Sequence, residues 1–289
     1  MHFPAGPPER GKEGAKAVED RPLVSVVIPA WNAAETLPAL LESVTAQTWR
    51  ELQILVIDDG SRDGTLAAAR AAAEKDPRIT VVHQANAGVS AARNRALPLC
   101  GGKYIRFADA DDFLPPDSVE IMVRRMERDG ADLAIGGFTE RVGDLRRFRN
   151  LANRDDTVSW EELLRHLCPH ANSYFYGVLW NKLFVRRLVE EGGVRFCEDR
   201  NWGEDAAFVM DYLQRADRIA FLREAVYEYI RSPGSATVQQ ALDSVVHPVV
   251  NSRAKAALYG HLKDLYTARG VYPQYRRRLW MYMIRVGLG

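Results

Sequence analysis

The sequence predicts an α/β protein built on a mostly parallel central sheet, and three observations carry that reading. Short β-branched apolar runs alternate with helical patterns from residue 23 to residue 108. The runs are almost continuously apolar, as strands covered on both faces must be. Acidic or amide residues follow each run, at the carboxyl edge where such sheets bind ligands.

The first run, Leu23 to Pro29, is bounded by Pro22 and Pro29 and reads as a buried strand. Asn32 with Glu35 three residues on resembles a capping box, and Leu37, Leu40, Leu41 and Val44 follow at helical spacing. A helix is therefore expected over 34–47. Leu52 to Ile57 is the second strand, ending in Asp58-Asp59-Gly60-Ser61. A helix over Thr65 to Lys75 and a strand over Ile79 to Val82 come next. A helix over Val89 to Leu97 then leads through Gly101-Gly102 to a fourth strand, Tyr104 to Ala108. This order demands right-handed crossovers between parallel strands.

Beyond residue 113 the alternation loosens. A helix is expected over 117–128, a strand over Leu133 to Phe138, a polar stretch from Glu140 to Thr157, and a helix over Ser159 to Leu167. An aromatic segment, Tyr174 to Trp180, follows. Gly203-Glu204-Asp205 opens a helix over Ala206 to Gln214, and two short strands cover Ile219 to Leu222 and Val226 to Ile230. Val246, Val250, Ala254, Leu258, Leu262 and Leu265 recur as the apolar stripe of a long helix. The end sets Arg276, Arg277, Arg278 and Arg285 beside Trp280 and Met281 with no acidic residue. That pattern suits either a packed helix or peripheral contact with an anionic membrane face.

Composition removes several classes. A net charge of +1 leaves no general basic field, so nucleic acid is not an expected partner. Cys100, Cys168 and Cys197 are odd in number and lack C-x-x-C spacing, against a disulfide framework or structural zinc. No apolar run reaches the roughly 18 residues of a transmembrane helix. Residues 1–21, rich in Gly, Pro and charge, read as a disordered leader, and the protein as cytoplasmic, at the inner face of the membrane if it meets one. The six histidines show no ligand spacing and read as incidental. No G-x-G-x-x-G follows the first strand, against a dinucleotide oxidoreductase.

The strand ends are where chemistry collects. They read Pro29-Ala30-Trp31-Asn32, Asp58-Asp59, Asn86-Ala87-Gly88 and Asp109-Ala110-Asp111-Asp112. Carboxylates crowded at neighbouring strand ends repel unless something neutralises them, and a divalent cation with a diphosphate does so. On the residues alone, Asp58 and Asp59 could instead cap the following helix, Asp112 could cap a turn, and Asp205 could be a plain helix N-cap.

Four segments, in order, resemble the inverting glycosyltransferase family 2. Val24-Ser25-Val26-Val27-Ile28-Pro29-Ala30-Trp31-Asn32 is similar to its S-V-I-I-P-x-Y-N opening, with Trp31 in place of Tyr. Ile57 to Thr65 is similar to V-D-D-G-S-x-D-G-T, and Asn86 to Asn94 to N-x-G-x-S-x-A-R-N. Asp109-Ala110-Asp111 falls at its D-x-D. The resemblance implies a GT-A fold, with a Rossmann-like, mostly parallel sheet flanked by helices and a helical C-terminal extension. The donor half would cover 22–113, the acceptor half 114–238 and the extension 239–289.

It also implies roles. Pro29, Ala30 and Trp31 would line the nucleoside pocket, Asp59 would hydrogen-bond the base, and Arg93 would lie near base and diphosphate. Asn32, Asp58, Gly88 and Ala110 would complete the donor cradle. Asp109 would sit near ribose or metal, Asp111 would hold Mn²⁺ or Mg²⁺, and Asp205 would be the base, with Glu204 as runner-up. Arg231 and Ser235 would close over the diphosphate. Trp180-Asn181-Lys182 falls at an acceptor-side segment, the other reading being a packed Trp beside a solvated Lys. The implied activity is inverting transfer of one hexose or hexosamine from a UDP-sugar to a glycan or lipid-linked acceptor, in surface polysaccharide synthesis. A nucleotidyltransferase would need a Gly-rich phosphate loop near the first strand, which Pro29 to Asn32 does not offer. A non-catalytic binding module on a degenerate scaffold is the other alternative, and intact Asp59, Asp111 and Asp205 weigh against it.

Overall fold

The computed structural model describes residues 21–168, 174–198, 203–231 and 248–287. All of the expected leader but Arg21, together with Ser235 and Val246, lies outside the described residues.

The parallel half forms where the pattern placed it. Strand β1 (Val24–Ala30) is buried at all seven positions, and β2 (Leu52–Asp59) pairs with it in parallel from Val24↔Leu52 to Ala30↔Asp58. Strand β3 (Ile79–Gln84) adds on one side, and β4 (Tyr104–Phe107) pairs with β1 on the other. Helices α1 (Leu37–Thr45), α2 (Thr65–Lys75) and α3 (Val89–Ala96) make the crossovers.

The capping box is not there. Helix α1 starts at Leu37 after Thr36, with no side-chain cap and a proline in its first turn. Asn32 instead adopts φ 49, a left-handed turn that asparagine tolerates. Its backbone N–H donates to Ser61 Oγ at 3.0 Å, and its Oδ1 accepts from the Arg62 N–H at 2.9 Å. Ala33 N–H donates to Thr65 Oγ1 at 2.7 Å. The asparagine that looked like a cap therefore laces the loop after β1 to the loop after β2.

The second half departs further from the pattern. After α4 (Ser118–Asp129), β5 runs Leu133–Val142, turns at Gly143, and returns as β6 (Leu145–Arg149) within the polar stretch, where no strand was expected. Strand β7 (Thr157–Ser159), α5 (Trp160–Leu167), α6 (Tyr174–Gly177), β8 (Lys182–Val185), α7 (Arg186–Glu191) and α8 (Glu204–Leu213) follow. Strand β8 wedges between β4 and β5, antiparallel to both. The two short strands expected near 219–230 are one strand, β9 (Arg218–Ile230). It pairs with β5 through two register shifts around Gly137. A Cβ at Gly136 would lie 2.5 Å from Val226, so only glycine admits β9 this closely. The sheet order is β3-β2-β1-β4-β8-β5-β9-β7, with β6 off β5. Helices α9 (Pro248–Ala268) and α10 (Tyr272–Gly287) form the C-terminal extension. Among the described residues no helix is long and apolar enough to cross a membrane.

Candidate active site

The carboxyl ends of β1, β2 and β3 enclose a cavity of about 530 Å³ lined by Trp31, Asn32, Ser61, Arg62, His83 and Asn86. Trp31 stands 58% exposed at its lip, an aromatic face left open. A larger cleft of about 760 Å³, bounded by Arg21, Trp49 and α4, lies at the amino ends of β1 and β2, away from the acidic motifs.

Asp59 organises the third loop. Its Oδ1 accepts from Gln84 Nε2 at 2.8 Å and Ala87 N–H at 2.9 Å, and its Oδ2 from Gly88 N–H at 2.8 Å and Asn86 Nδ2 at 3.3 Å. Four donors match the lone-pair sites of one carboxylate, and Asp59 is only 2% exposed. Gly60 makes the close approach possible, because a Cβ there would sit 2.6 Å from Asn86 N. Asp58 is wholly buried and faces the neighbouring strand, with Oδ2 at 2.6 Å from His83 Nδ1. His83, which looked incidental in sequence, thus lines the cavity on a buried carboxylate.

Arg93 ties the acidic segments together. It projects from α3 and is buried, with Nη2 at 2.9 Å from Asp109 Oδ1 after β4 and Nη1 at 2.7 Å from Asp205 Oδ1 on α8. Glu204 stands further off at 3.9 Å. Burial alone would depress the guanidinium, but Asp205, Asp109 and Glu204 outweigh it and hold Arg93 above its usual value. The Phe196 ring lies under its Cζ at 5.3 Å, and Asn94 clamps that residue by accepting from Phe196 N–H and donating to Phe196 O, both at 2.9 Å. Neighbouring Arg93 and Asn94 therefore tie two carboxylates and the Phe196 segment to α3.

Asp205 is not a helix cap. Gly203, at φ 77, is the N-cap of α8, and Asp205 lies inside the first turn, where the helix dipole favours an anion. Burial nevertheless pushes its carboxyl up to about 7, with Arg93 pulling against it. Lys182 stands near enough to add to that pull. This lysine is not solvated: it is fully buried, and Nζ donates to Phe175 O at 3.1 Å, Val178 O at 2.6 Å and Asn181 Oδ1 at 2.8 Å. Burial depresses it to about 7. Trp180 is core as well, stacked on Tyr227 at 4.6 Å and Tyr229 at 5.6 Å.

Asp112 does not cap a turn. It is buried, its Oδ2 accepts from Tyr227 Oη at 2.8 Å, and its Oδ1 accepts from Ile230 N–H at 2.7 Å. Tyr227 Oη in turn accepts from Asp109 N–H at 3.0 Å, so β9 fixes the turn carrying Asp109, Ala110 and Asp111. Sequence reasoning missed Tyr227, whose hydroxyl nothing distinguishes from those of the other tyrosines. Asp111 is raised by burial and by Asp109, and among the described residues no cation pairs with it. No group of three or more His, Cys, Asp or Glu among the described residues could hold a metal alone. Two oxygen-donor carboxylates on one turn instead fit a hard cation shared with phosphate oxygens. Arg231, at the end of β9, pairs with Glu140 at 3.3 Å.

A parallel sheet gathering carboxylates at its carboxyl edge, joined through β8 to a second, mixed half, is the GT-A glycosyltransferase architecture. The family model described as glycosyl transferase family 2 matches residues 25–189, more than half of the chain, and the chain belongs to that family. It is 30% identical over 246 residues to the uncharacterized glycosyltransferase EpsJ of Bacillus subtilis, covering 83% of this chain and 70% of that protein. It is 41% identical over 215 residues to the uncharacterized glycosyltransferase YibD of Escherichia coli, covering 71% of this chain and 60% of that one. Both relatives extend beyond the matched length. The structure of S. aureus TarS residues 1–349 in complex with UDP-GlcNAc superposes with a TM-score of 0.72 at 19% identity, over 90% of this chain and 73% of that one.

Proposed function

We propose that the protein is a metal-dependent, inverting glycosyltransferase that moves a single hexose or hexosamine from a UDP-sugar to a glycan or lipid-linked acceptor in surface polysaccharide synthesis. The observation that carries the reading is the Asp109–Arg93–Asp205 bridge, which brings the D-x-D turn and the start of α8 to one point. Inverting transfer is one in-line displacement at the anomeric carbon, and needs a base for the acceptor hydroxyl and charge stabilisation for the departing diphosphate. Asp205 takes the proton, and Arg93 keeps its carboxylate aimed and ionised. Trp31 offers its exposed face to the base, and Asp59 shapes the pocket wall through the 84–88 loop. Asp109 and Asp111 would hold Mn²⁺ or Mg²⁺. When bound, the cation supplies positive charge to the leaving diphosphate. Arg231 is assigned to the same diphosphate, and must leave Glu140 to reach it. The exposed Trp280 and Met281 of α10, next to Arg276, Arg277 and Arg278, are assigned to an anionic membrane face.

The test is calorimetric binding of UDP, GDP and dTDP, with and without Mn²⁺, to the wild type and to Asp111→Ala. UDP binding that needs both the metal and Asp111 is the expected result. Failure of every nucleotide to bind with metal present would overturn it.

A further inference from the structure

We propose, on the reading of the chain as a glycosyltransferase, that the β5–β6 hairpin is a docking surface for the acceptor, and that the acceptor is carried on a lipid diphosphate. The apolar chain would lie at the hairpin tip and the diphosphate on the arginines below it.

Strand β8 is antiparallel to both β4 and β5, so β4 and β5 run the same way. The hairpin therefore projects from the carboxyl edge of the sheet, the edge that carries Asp109 and Asp111 after β4. Two contacts join its base to that turn through the end of β9. Ile230 N–H donates to Asp112 Oδ1 at 2.7 Å, and Arg231 N–H donates to Arg141 O at 2.8 Å. In the sheet order β5 lies beyond β4 from the cavity between β1 and β3, so the hairpin flanks the acidic turn on the side away from that cavity.

Residues paired across a hairpin share a face. The register sets Val142 opposite Leu145, Glu140 opposite Arg147 and Phe138 opposite Arg149, all on one face. Glu140 pairs with Arg149 at 2.8 Å and with Arg231 at 3.3 Å, which brings the end of β9 onto the same face. Its character changes along the strands. Phe138 packs on Trp180 at the base, the arginines surround Glu140 in the middle, and Val142, 47% exposed, and Leu145, 77% exposed, crown the tip. Arg147, Arg149 and Arg231 against Glu140 leave positive charge in excess, and among the described residues Arg147 has no ion pair. On the opposite face Arg141 and Arg146 already meet Glu228, at 3.4 and 3.6 Å.

Charge on an exposed edge strand keeps other strands away, and arginines alone would serve that end. They do not account for the aliphatic pair at the tip. A second copy of the chain fits poorly, because antiparallel pairing of two β6 strands about their middle residue sets Arg147 against Arg147. A bare glycan has no hydrocarbon for Val142 and Leu145. Guanidinium forks suit phosphate oxygens, and the aliphatic pair suits an apolar chain. A lipid diphosphate presents both, in the order the face presents them.

The probe is farnesyl diphosphate, titrated by calorimetry into the full chain with EDTA present, so that no cation at Asp109 and Asp111 can hold the diphosphate. Binding is expected, weaker for geranyl diphosphate and weakest for inorganic diphosphate, since a shorter or absent chain buries less apolar surface. Leu145→Ser and Arg147→Gln are each expected to weaken farnesyl diphosphate binding about tenfold, while melting temperature and UDP affinity with Mn²⁺ stay at wild-type values. Unchanged farnesyl diphosphate affinity in both variants would overturn the assignment. If those variants then lost binding to phosphatidylserine vesicles, the hairpin would be a membrane contact instead. A concentration-dependent dimer dissociated by Leu145→Ser would overturn it in favour of a second copy. Wild-type binding of UDP with Mn²⁺ but not of farnesyl diphosphate would overturn this proposal alone, and absence of any metal-dependent nucleotide binding would overturn the transferase reading beneath it.

Discussion

Arg93 and Asp205 are 112 positions apart in the chain, yet Nη1 of one lies 2.7 Å from Oδ1 of the other, and the same guanidinium holds Asp109. Two tendencies meet in that contact. Burial drives the Asp205 carboxyl up to about 7, and the guanidinium opposes the rise. A base must be ionised to accept a proton, so kcat/KM is expected to fall about tenfold per pH unit below that value and to level above it. Removing the cation in Arg93→Met takes away the larger charge that opposes burial and leaves only Lys182, so the acid limb moves to higher pH. A purely structural Arg93 would lower the rate at all pH values alike. The pH profile of kcat/KM for both proteins distinguishes the two.

Asp111 is held above the ordinary carboxylate range by burial and by its neighbour Asp109. A divalent cation relieves that crowding. Mn²⁺ together with UDP is therefore expected to raise the melting temperature of the wild type, with little change in Asp111→Ala, since only a ligand bound to the folded state stabilises it. Dialysis against a chelator is expected to abolish transfer, and added Mn²⁺ or Mg²⁺ to restore it.

Trp180 shows how the mixed half of the sheet supports the proposed site without being part of it. The indole packs between the edge of Phe138 at 4.7 Å and the stacked ring of Tyr227 at 4.6 Å, and the Tyr227 hydroxyl fixes both Asp109 and Asp112. Trp180→Ala is expected to cost about 3–5 kcal/mol in urea unfolding, as large core deletions do. Trp180→Phe is expected to cost less and to keep nucleotide affinity.

The parallel half was legible because its determinants are local. The residues of β1 and β2 are continuously apolar, and each loop after a strand carries its own polar signature. The mixed half was not. Strand β8 is four residues long and opens with a lysine whose Nζ donates to carbonyls of an adjoining turn and to Asn181. Strand β9 read as two strands because the exposed Arg223 and Glu224 interrupt its apolar run, and pairing with β5 rather than its own pattern makes it continuous. The same limit applies to the site. The strand-end residues were visible, but Asp58 facing His83, Asp112 facing Tyr227 and Arg93 bridging two carboxylates are contacts between distant segments, and no spacing rule encodes them.

The C-terminal helix α10 separates its contacts by face, and this yields the last prediction. Leu279 is fully buried, whereas Trp280 is 60% and Met281 54% exposed, beside the exposed Arg276, Arg277 and Arg278. An exposed indole next to a basic cluster is the composition of an interfacial helix, in which each arginine contributes about 1 kcal/mol near an anionic surface. Binding to vesicles containing phosphatidylserine is therefore expected, with weakening by salt and near loss in the Arg276→Glu, Arg277→Glu, Arg278→Glu triple variant. Trp280→Ala is expected to weaken binding with less change in its salt dependence, because it removes apolar rather than electrostatic attraction. UDP affinity should be unchanged in both variants, since among the described residues none of α10 lines the cavity between β1 and β3. Co-sedimentation that is equal for neutral and anionic vesicles, or unaffected by the triple variant, would assign this helix to packing alone.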